Sequence, residues 1–424
     1  MAAVYLQNAH WIDWQSLAMQ TCHLEVQDGA LGSVRPIDQI PADARAQGAE
    51  VVDCSGKLVT HSFVVGHHHI YSALARGMPA PARSPQSFNE ILELIWWNLD
   101  KQLDADMIRA SALATAIEAA RCGSTFIIDH HASPHAAPDS LHIIGAALDE
   151  VGLGHLLSYE LSDRDGPKRL QEGMQETDRW LQKQPGLVGL HASFTVSDAT
   201  LDAAVKLARK HDTGIHIHVA EAASDQEASL QQHGKRVVER LQAAGALSSP
   251  RSLLVHCLHL DDKERDLLRQ SPTWIVQNPQ SNQNNAVGAF DSTDLGDRIL
   301  LGTDGMHSDM LSSTNAAYLE SQTRVGLSPQ QAYQRLRKAH EYLALNNISG
   351  DAENNLVVLD YRTPTPVTSE NWPAHLVYAL QSRHVVDVMA QGRWLVRNRQ
   401  LVTVDEERCL AQAQEQAAKL WKKL

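Results

Sequence analysis

The 424-residue chain is 43% hydrophobic and 21% charged, enough apolar material for one large core and a smaller satellite. A formal net charge of -13 opposes non-specific association with nucleic acid or an anionic membrane, which leaves small molecules as the expected partners. The sequence has no basic-then-apolar leader, no run of eighteen apolar residues and no CxxC pair among its five cysteines, so a reduced, cytoplasmic protein is expected.

Residues 1 to about 60 carry short alternating segments (Val4 to Leu6, His23 to Val26, Glu50 to Val52) separated by turn residues, as in small antiparallel strands. From about 61 the pattern becomes apolar runs of strand length, each followed by a longer segment: Phe63 to His67, Ser124 to His130, His155 to Glu160, Leu187 to Phe194, Gly214 to Glu221, Leu253 to Leu260, Trp274 to Asn278 and Ile299 to Asp304. Amphipathic helices are expected between them, among others Asp106 to Ala120, Leu201 to Lys210 and Gln226 to Ala243. Eight strands close a (β/α)8 barrel; an open doubly wound sheet would carry a Gly-rich turn after its first strand, and none is present. Helices are then expected over Asn315 to Val325 and Pro329 to Leu345, and strands over Asn355 to Leu359, His375 to Leu380, Val385 to Ala390 and Arg393 to Val396. The organisation expected is an α/β protein: a barrel over 61–349, a small β-sandwich from 1–60 and 350–403, and a terminal helix over 404–424.

Polar, ligand-capable residues collect at the carboxyl ends of these strands, where such a barrel builds its active site. The first strand ends in His67-His68-His69, whose outer two imidazoles share a face if the strand continues; an exposed polar turn is the alternative. The fifth gives His218 and Glu221, the sixth His256 and the eighth Asp304. Individually His218 reads equally as a hydrogen-bonded core residue and Asp304 as a turn cap, while His216 and His259 read as structural; together, three imidazoles and a carboxylate suit Zn²⁺ or Fe²⁺ with a position left for water.

The ordered set His67-x-His69, His218-x-x-Glu221, His256 and Leu301-Gly-Thr-Asp304 resembles the amidohydrolase superfamily, in its branch of amino-heterocycle deaminases and chlorohydrolases. Trp96-Trp97-Asn98-Leu99-Asp100, Asp129-His130-His131-Ala132-Ser133-Pro134 and Asn278-Pro279-Gln280-Ser281-Asn282 are similar to its SsnA group of aminohydrolases. The resemblance implies one divalent ion, Zn²⁺ before Fe²⁺, held by His67, His69, His218 and Asp304. It also implies Asp304 as the base, Glu221 as the acid that protonates a ring nitrogen, and His256 beside the developing oxyanion. The activity implied is hydrolytic release of ammonia from an amino-substituted purine, pteridine or pyrimidine by a homodimer. The alternatives are loss of chloride or alkylamine from a similar ring, or a non-catalytic metal-binding scaffold. The fourth strand end, Leu190 to Phe194, has no lysine, so the carboxylated lysine of binuclear relatives is missing.

Departures from the family pattern are His61-Ser62 in place of Pro-Gly, Gln277 where His is usual, Asn354-Asn355 in place of Ala-Asp, and His307 near the metal loop, either solvated or facing the substrate. Substrate contacts are expected from His131, Glu160, His191 and Asn282, with Glu160 and His191 equally able to orient ligands. Arg76 either meets an anionic group or is solvated.

Overall fold

The computed structural model describes residues 3–324 and 326–424. Eight parallel strands follow one another in order around a barrel: Phe63–His68, Ser124–His131, Gly154–Leu161, Gly186–Ala192, Ile215–Val219, Leu253–His256, Trp274–Gln277 and Ile299–Leu301. The seam between the last and the first is joined by a parallel bridge from His68 to Asp304, and by amides of Thr303 and Asp304 donating to the His67 carbonyl at 2.9 and 3.1 Å. Two glycines allow this approach. A Cβ on Gly66 would lie 2.4 Å from the Leu301 carbonyl oxygen, and one on Gly302 would lie 2.8 Å from the His67 Cβ.

Alternation along each strand divides the apolar residues into two sets. Val64, Phe126, Ile128, Leu156, Leu187, Val255 and Leu300 point into the barrel, where Tyr342 and Leu343 from the helix Pro329–Leu345 close its lower end. Val65, Ile127, Leu157, Val188 and Ile217 point outward beneath the helices. Continuing the inward rows upward gives His130 above Ile128, Ser158 and Glu160 above Leu156, His191 above Leu187, and Asp304 above Leu300. The apolar plug therefore passes into polar groups along the same faces of the same strands. In the first strand the register slips between Val65 and His68, and His67 turns inward against His216.

Both ends of the chain build a separate nine-stranded sheet, in which Leu58–His61 lies between Leu356–Leu359 and Val4–Ile12. Ser62 alone separates Leu58–His61 from the first barrel strand. The segment His375 to Leu380, expected as a strand, lies mostly in the helix Trp372–Tyr378, which buries Trp372 and Leu376 one turn apart. The helix expected over Gln226 to Ala243 is two helices, Ala223–His233 and Val237–Ala243, because Gly234 takes a left-handed conformation (φ 64°) and ends the first. The helix expected to reach Val325 is Met310–Ser321; Val325 itself lies outside the described residues. The terminal helix is Glu406–Trp421, and its Trp421 indole donates to the Leu74 carbonyl just beyond the first barrel strand. All five cysteines are free, and no helix among the described residues is long and apolar enough to cross a membrane.

Candidate active site

At the carboxyl end of the barrel, His67, His69, His218 and Asp304 each present one ligand atom within 4.8 Å of the others. Asp304 Oδ1 lies 3.1 Å from His69 Nε2 and 3.6 Å from His67 Nε2, and the Nε2 atoms of His69 and His218 are 3.2 Å apart. Asp304 holds a left-handed backbone (φ 55°), a strained choice for a carboxylate residue that turns its side chain back over the barrel mouth.

The hydrogen bonds fix which nitrogen of each ring carries its proton. Nδ1 of His69 donates to the His130 carbonyl at 2.7 Å, and Nδ1 of His218 to the His191 carbonyl at 2.8 Å. For His67 the assignment passes through two more side chains. The Ser158 hydroxyl donates to the Asp129 carbonyl and accepts from His216 Nδ1; His216 Nε2 then accepts from His67 Nδ1 at 2.9 Å. All three Nε2 atoms therefore turn lone pairs toward the Asp304 carboxylate, and that of His67 has no hydrogen-bond partner among the described residues. Converging lone pairs and a carboxylate repel one another unless positive charge lies between them, and three imidazoles with one carboxylate fit a divalent ion such as zinc or iron. The same demand appears in the protonation of His69: burial disfavours its cation, but the Asp304 carboxylate outweighs this and raises its pKa to about 9. Burial lowers His67 to about 3.

A second group joins the first through the other oxygen of Asp304. His256 Nε2 lies 3.3 Å from Glu221 Oε2 and 3.6 Å from Asp304 Oδ2. Burial pushes the Glu221 carboxyl well above the usual range, with Asp304 and Asp225 adding to it; burial acts the same way on Asp304, but His67 and His69 override it and hold that carboxyl well below. Two facing carboxylates are thus driven to opposite protonation states. Ser281, not singled out in the sequence reading, donates to Asp304 Oδ2 at 2.6 Å and so leaves Oδ1 to the imidazoles.

Above these groups opens a narrow cleft. Its apolar wall comes from Tyr71, Phe88, Leu92, Trp96, Trp97 and Met306, with Leu92–Trp96 forming a π-helical turn whose extra residue re-aims the side chains that follow. Its polar wall holds Asp100, Glu160, Arg164 and His191, of which Asp100 and Arg164 were not among the expected contacts. His191 keeps Nδ1 on Thr195 Oγ1 at 2.7 Å, and burial lowers its pKa to about 4. Of the other expected contacts, His131 and Asn282 do not line the cleft. His131 is fully buried with Nε2 on Ser133 Oγ, and Asn282 Oδ1 accepts from His256 Nδ1 at 2.8 Å. Arg76 pairs with Glu118 outside the cleft, and His307 Nδ1 accepts from the Asp309 amide. Gln277 bridges Glu320 and Arg335 behind the seventh strand, and His259 binds the Val287 carbonyl.

The chain is 29% identical over 393 residues to a 5-methylthioadenosine/S-adenosylhomocysteine deaminase of Desulforamulus reducens, covering 88% of each protein. It is 30% identical over 346 residues to a 5'-deoxyadenosine deaminase of Methanopyrus kandleri, covering 76% of this chain and 78% of that one. A zinc-bound adenosine deaminase from Xanthomonas campestris shares the fold with a TM-score of 0.84 at 19% identity, over 99% of this chain and 98% of that one. So does the zinc-complexed atrazine chlorohydrolase TrzN from Arthrobacter aurescens TC1, with a TM-score of 0.80 at 16% identity, over 98% and 100%. A sequence model of the amidohydrolase family spans residues 58–395, from the strand that leads into the barrel to the far side of the terminal sheet, and by that match the chain belongs to the amidohydrolase family.

Proposed function

We propose that the protein is a metal-dependent hydrolytic deaminase of an amino-substituted N-heterocycle, a hydrolase of carbon–nitrogen bonds other than peptide bonds. The observation that carries this reading is the pair Glu221 and Asp304, two buried carboxyls 3.3 and 3.6 Å from the same imidazole nitrogen of His256 and beside the converging imidazoles of His67, His69 and His218. Deamination by water needs both, a base for the water and an acid for the ring nitrogen. The deaminase names of the relatives support the same chemistry.

In this reading His67, His69, His218 and Asp304 hold a divalent ion. Such an ion supplies Lewis acidity and brings the pKa of water toward neutrality. Asp304 accepts the proton of the attacking water. Glu221 delivers a proton to the ring nitrogen next to the amino-bearing carbon, and His256, its Nδ1–H held by Asn282, turns the Nε2 lone pair to accept from the hydroxyl that becomes the new carbonyl. The proton taken up by Asp304 passes to the amino group, the hydroxyl proton returns through His256 to Glu221, and the carbon–nitrogen bond breaks to release ammonia. The aromatic wall receives the flat face of the ring and excludes bulk water. The same reading takes zinc before iron, on the nitrogen-rich ligand set and the zinc in both structural neighbours, and a homodimer in the cytoplasm, on the family resemblance.

The test is ammonia release by metal-loaded protein, with a chelated control, across amino-purines and their nucleosides, pteridines, pyrimidines and triazines. A chelator-sensitive release of ammonia is expected. Release of chloride or alkylamine without ammonia would refute deamination, and metal lost on simple dialysis with no turnover would favour a scaffold.

A further inference from the structure

The polar wall of the cleft contains a charge arrangement that says what part of a substrate it accepts. Arg164 is the sole Lys or Arg side chain among the described residues lining the cleft, and its charge is already matched. One guanidinium nitrogen contacts Asp100 directly and lies 3.7 Å from Glu160, while Nε lies 3.0 Å from Asp165. The Trp97 ring stacks beneath the guanidinium, 5.2 Å from centroid to carbon. Asp100 is 1% exposed and the Arg164 side chain 9% exposed, so neither charge is left to solvent. Three atoms of the pair, Arg164 NH1 and Nε and Asp100 Oδ1, are buried and make no hydrogen bond among the described residues.

We propose that the Asp100–Arg164 pair is the specificity element of this cleft, selecting substrates whose appended group is uncharged and rejecting those that carry a carboxylate or phosphate. The inference rests on the deaminase reading for the reacting end and deepens it at the distal end. An anion finds no unmatched cation: reaching Arg164 means displacing Asp100 or sharing its counter-charge, with Glu160 close by on the same face. A buried ionic group without a partner is costly, and the discrimination expected is at least about 100-fold in kcat/KM. Applied to the compounds named for the relatives, the wall prefers 5'-deoxyadenosine or 5'-methylthioadenosine to S-adenosylhomocysteine, whose tail carries an amino-acid carboxylate.

The experiment compares matched pairs on metal-loaded protein: 5'-methylthioadenosine with S-adenosylhomocysteine, adenosine with adenosine 5'-monophosphate, and cytidine with cytidine 5'-monophosphate. Ammonia release gives kcat/KM, and calorimetric titration of the same pairs gives binding whether or not turnover occurs. The neutral member is expected to lead wherever either member reacts or binds. Asp100→Asn, which releases the Arg164 charge, is expected to raise the anionic-to-neutral ratio by about tenfold or more. An anionic member within tenfold of its partner, or a ratio unmoved in a folded Asp100→Asn protein, overturns the proposal. Discriminating binding without ammonia from any compound would refute the deaminase reading and keep the specificity element. A cleft that binds neither member of any pair overturns the specificity proposal.

Discussion

His216 neither lines the cleft nor offers a ligand atom to the ion site, yet through its contact with His67 it determines which nitrogen of that ring is free. It is fully buried, with Nδ1 on Ser158 Oγ at 3.1 Å and Nε2 on His67 Nδ1 at 2.9 Å. Replacing it by phenylalanine keeps a ring of similar size and removes the acceptor. His67 then either leaves a buried N–H unpaired or moves that proton to Nε2 and stops being a ligand. An unpaired buried donor costs roughly 1–3 kcal/mol, and the ion must meet that cost each time it binds. The expected loss in metal affinity is therefore about 10- to 100-fold, the range typical of groups that orient metal-binding histidines. Metal dissociation constants from competition with a chromophoric chelator read this directly, alongside thermal unfolding of the metal-free proteins. His216→Gln, whose amide oxygen can accept from His67, should recover part of the loss. A folded His216→Phe protein with unchanged metal affinity would refute the assignment, and so would Gln and Phe variants that behave alike.

Two further outcomes follow from other groups. Glu221→Gln is expected to keep its metal and lose turnover by about 10²-fold or more, whereas His218→Ala should lose both; metal analysis beside steady-state kinetics separates them, and an active Glu221→Gln protein would remove Glu221 as the acid. At the lower end of the barrel Asp351 accepts from His340 and His61 at 2.7 and 3.2 Å; burial raises its pKa, but the two histidines outweigh this and hold it below the ordinary carboxylate range. A carboxyl depressed in the folded state stabilises above its unfolded pKa, about 3.9, and loses that contribution as pH falls. Asp351→Asn should therefore lower Tm at pH 7, and the gap to the parent should begin to narrow only as pH falls below about 4. A difference that persists undiminished at low pH would show packing alone.

The barrel and the ion-site cluster were legible because both follow from short-range pattern. Apolar runs of strand length mark the strands, and histidines or a carboxylate directly after such a run are carried to the mouth by the strand's own alternation. The cleft wall was not legible on these grounds. Asp100 lies in the long excursion after the first strand and Arg164 beyond the third, and only the folded barrel brings them together. His131 and Asn282 show the converse: His131 ends the second strand on the face opposite His130, and Asn282 lies in the helix Pro279–Asn284, so both stand behind the wall. His216 was read as structural, and its place in the tautomer relay required the neighbouring Ser158 and His67 to be seen. The segment His375 to Leu380 misled because a short apolar run has the same composition in a buried helix as in a strand, and here Trp372 and Leu376 meet the core at helical spacing.

The bridge from His68 to Asp304 has a consequence for how the protein is made. First and last barrel strands meet there, so the ion-binding cluster straddles the seam, with two imidazoles emerging early in synthesis and the carboxylate only after seven further strands. A nascent chain cannot bind the ion with all four groups before the ring shuts, and long-range closure of this kind is slow relative to helix formation. Once shut, an ion held by this proposed cluster would clasp both edges: opening the seam would release it, and bound metal would add its binding free energy to the resistance against unfolding. Metal uptake is thus a clock for barrel closure, readable during refolding by the disappearance of free metal from a chelating indicator.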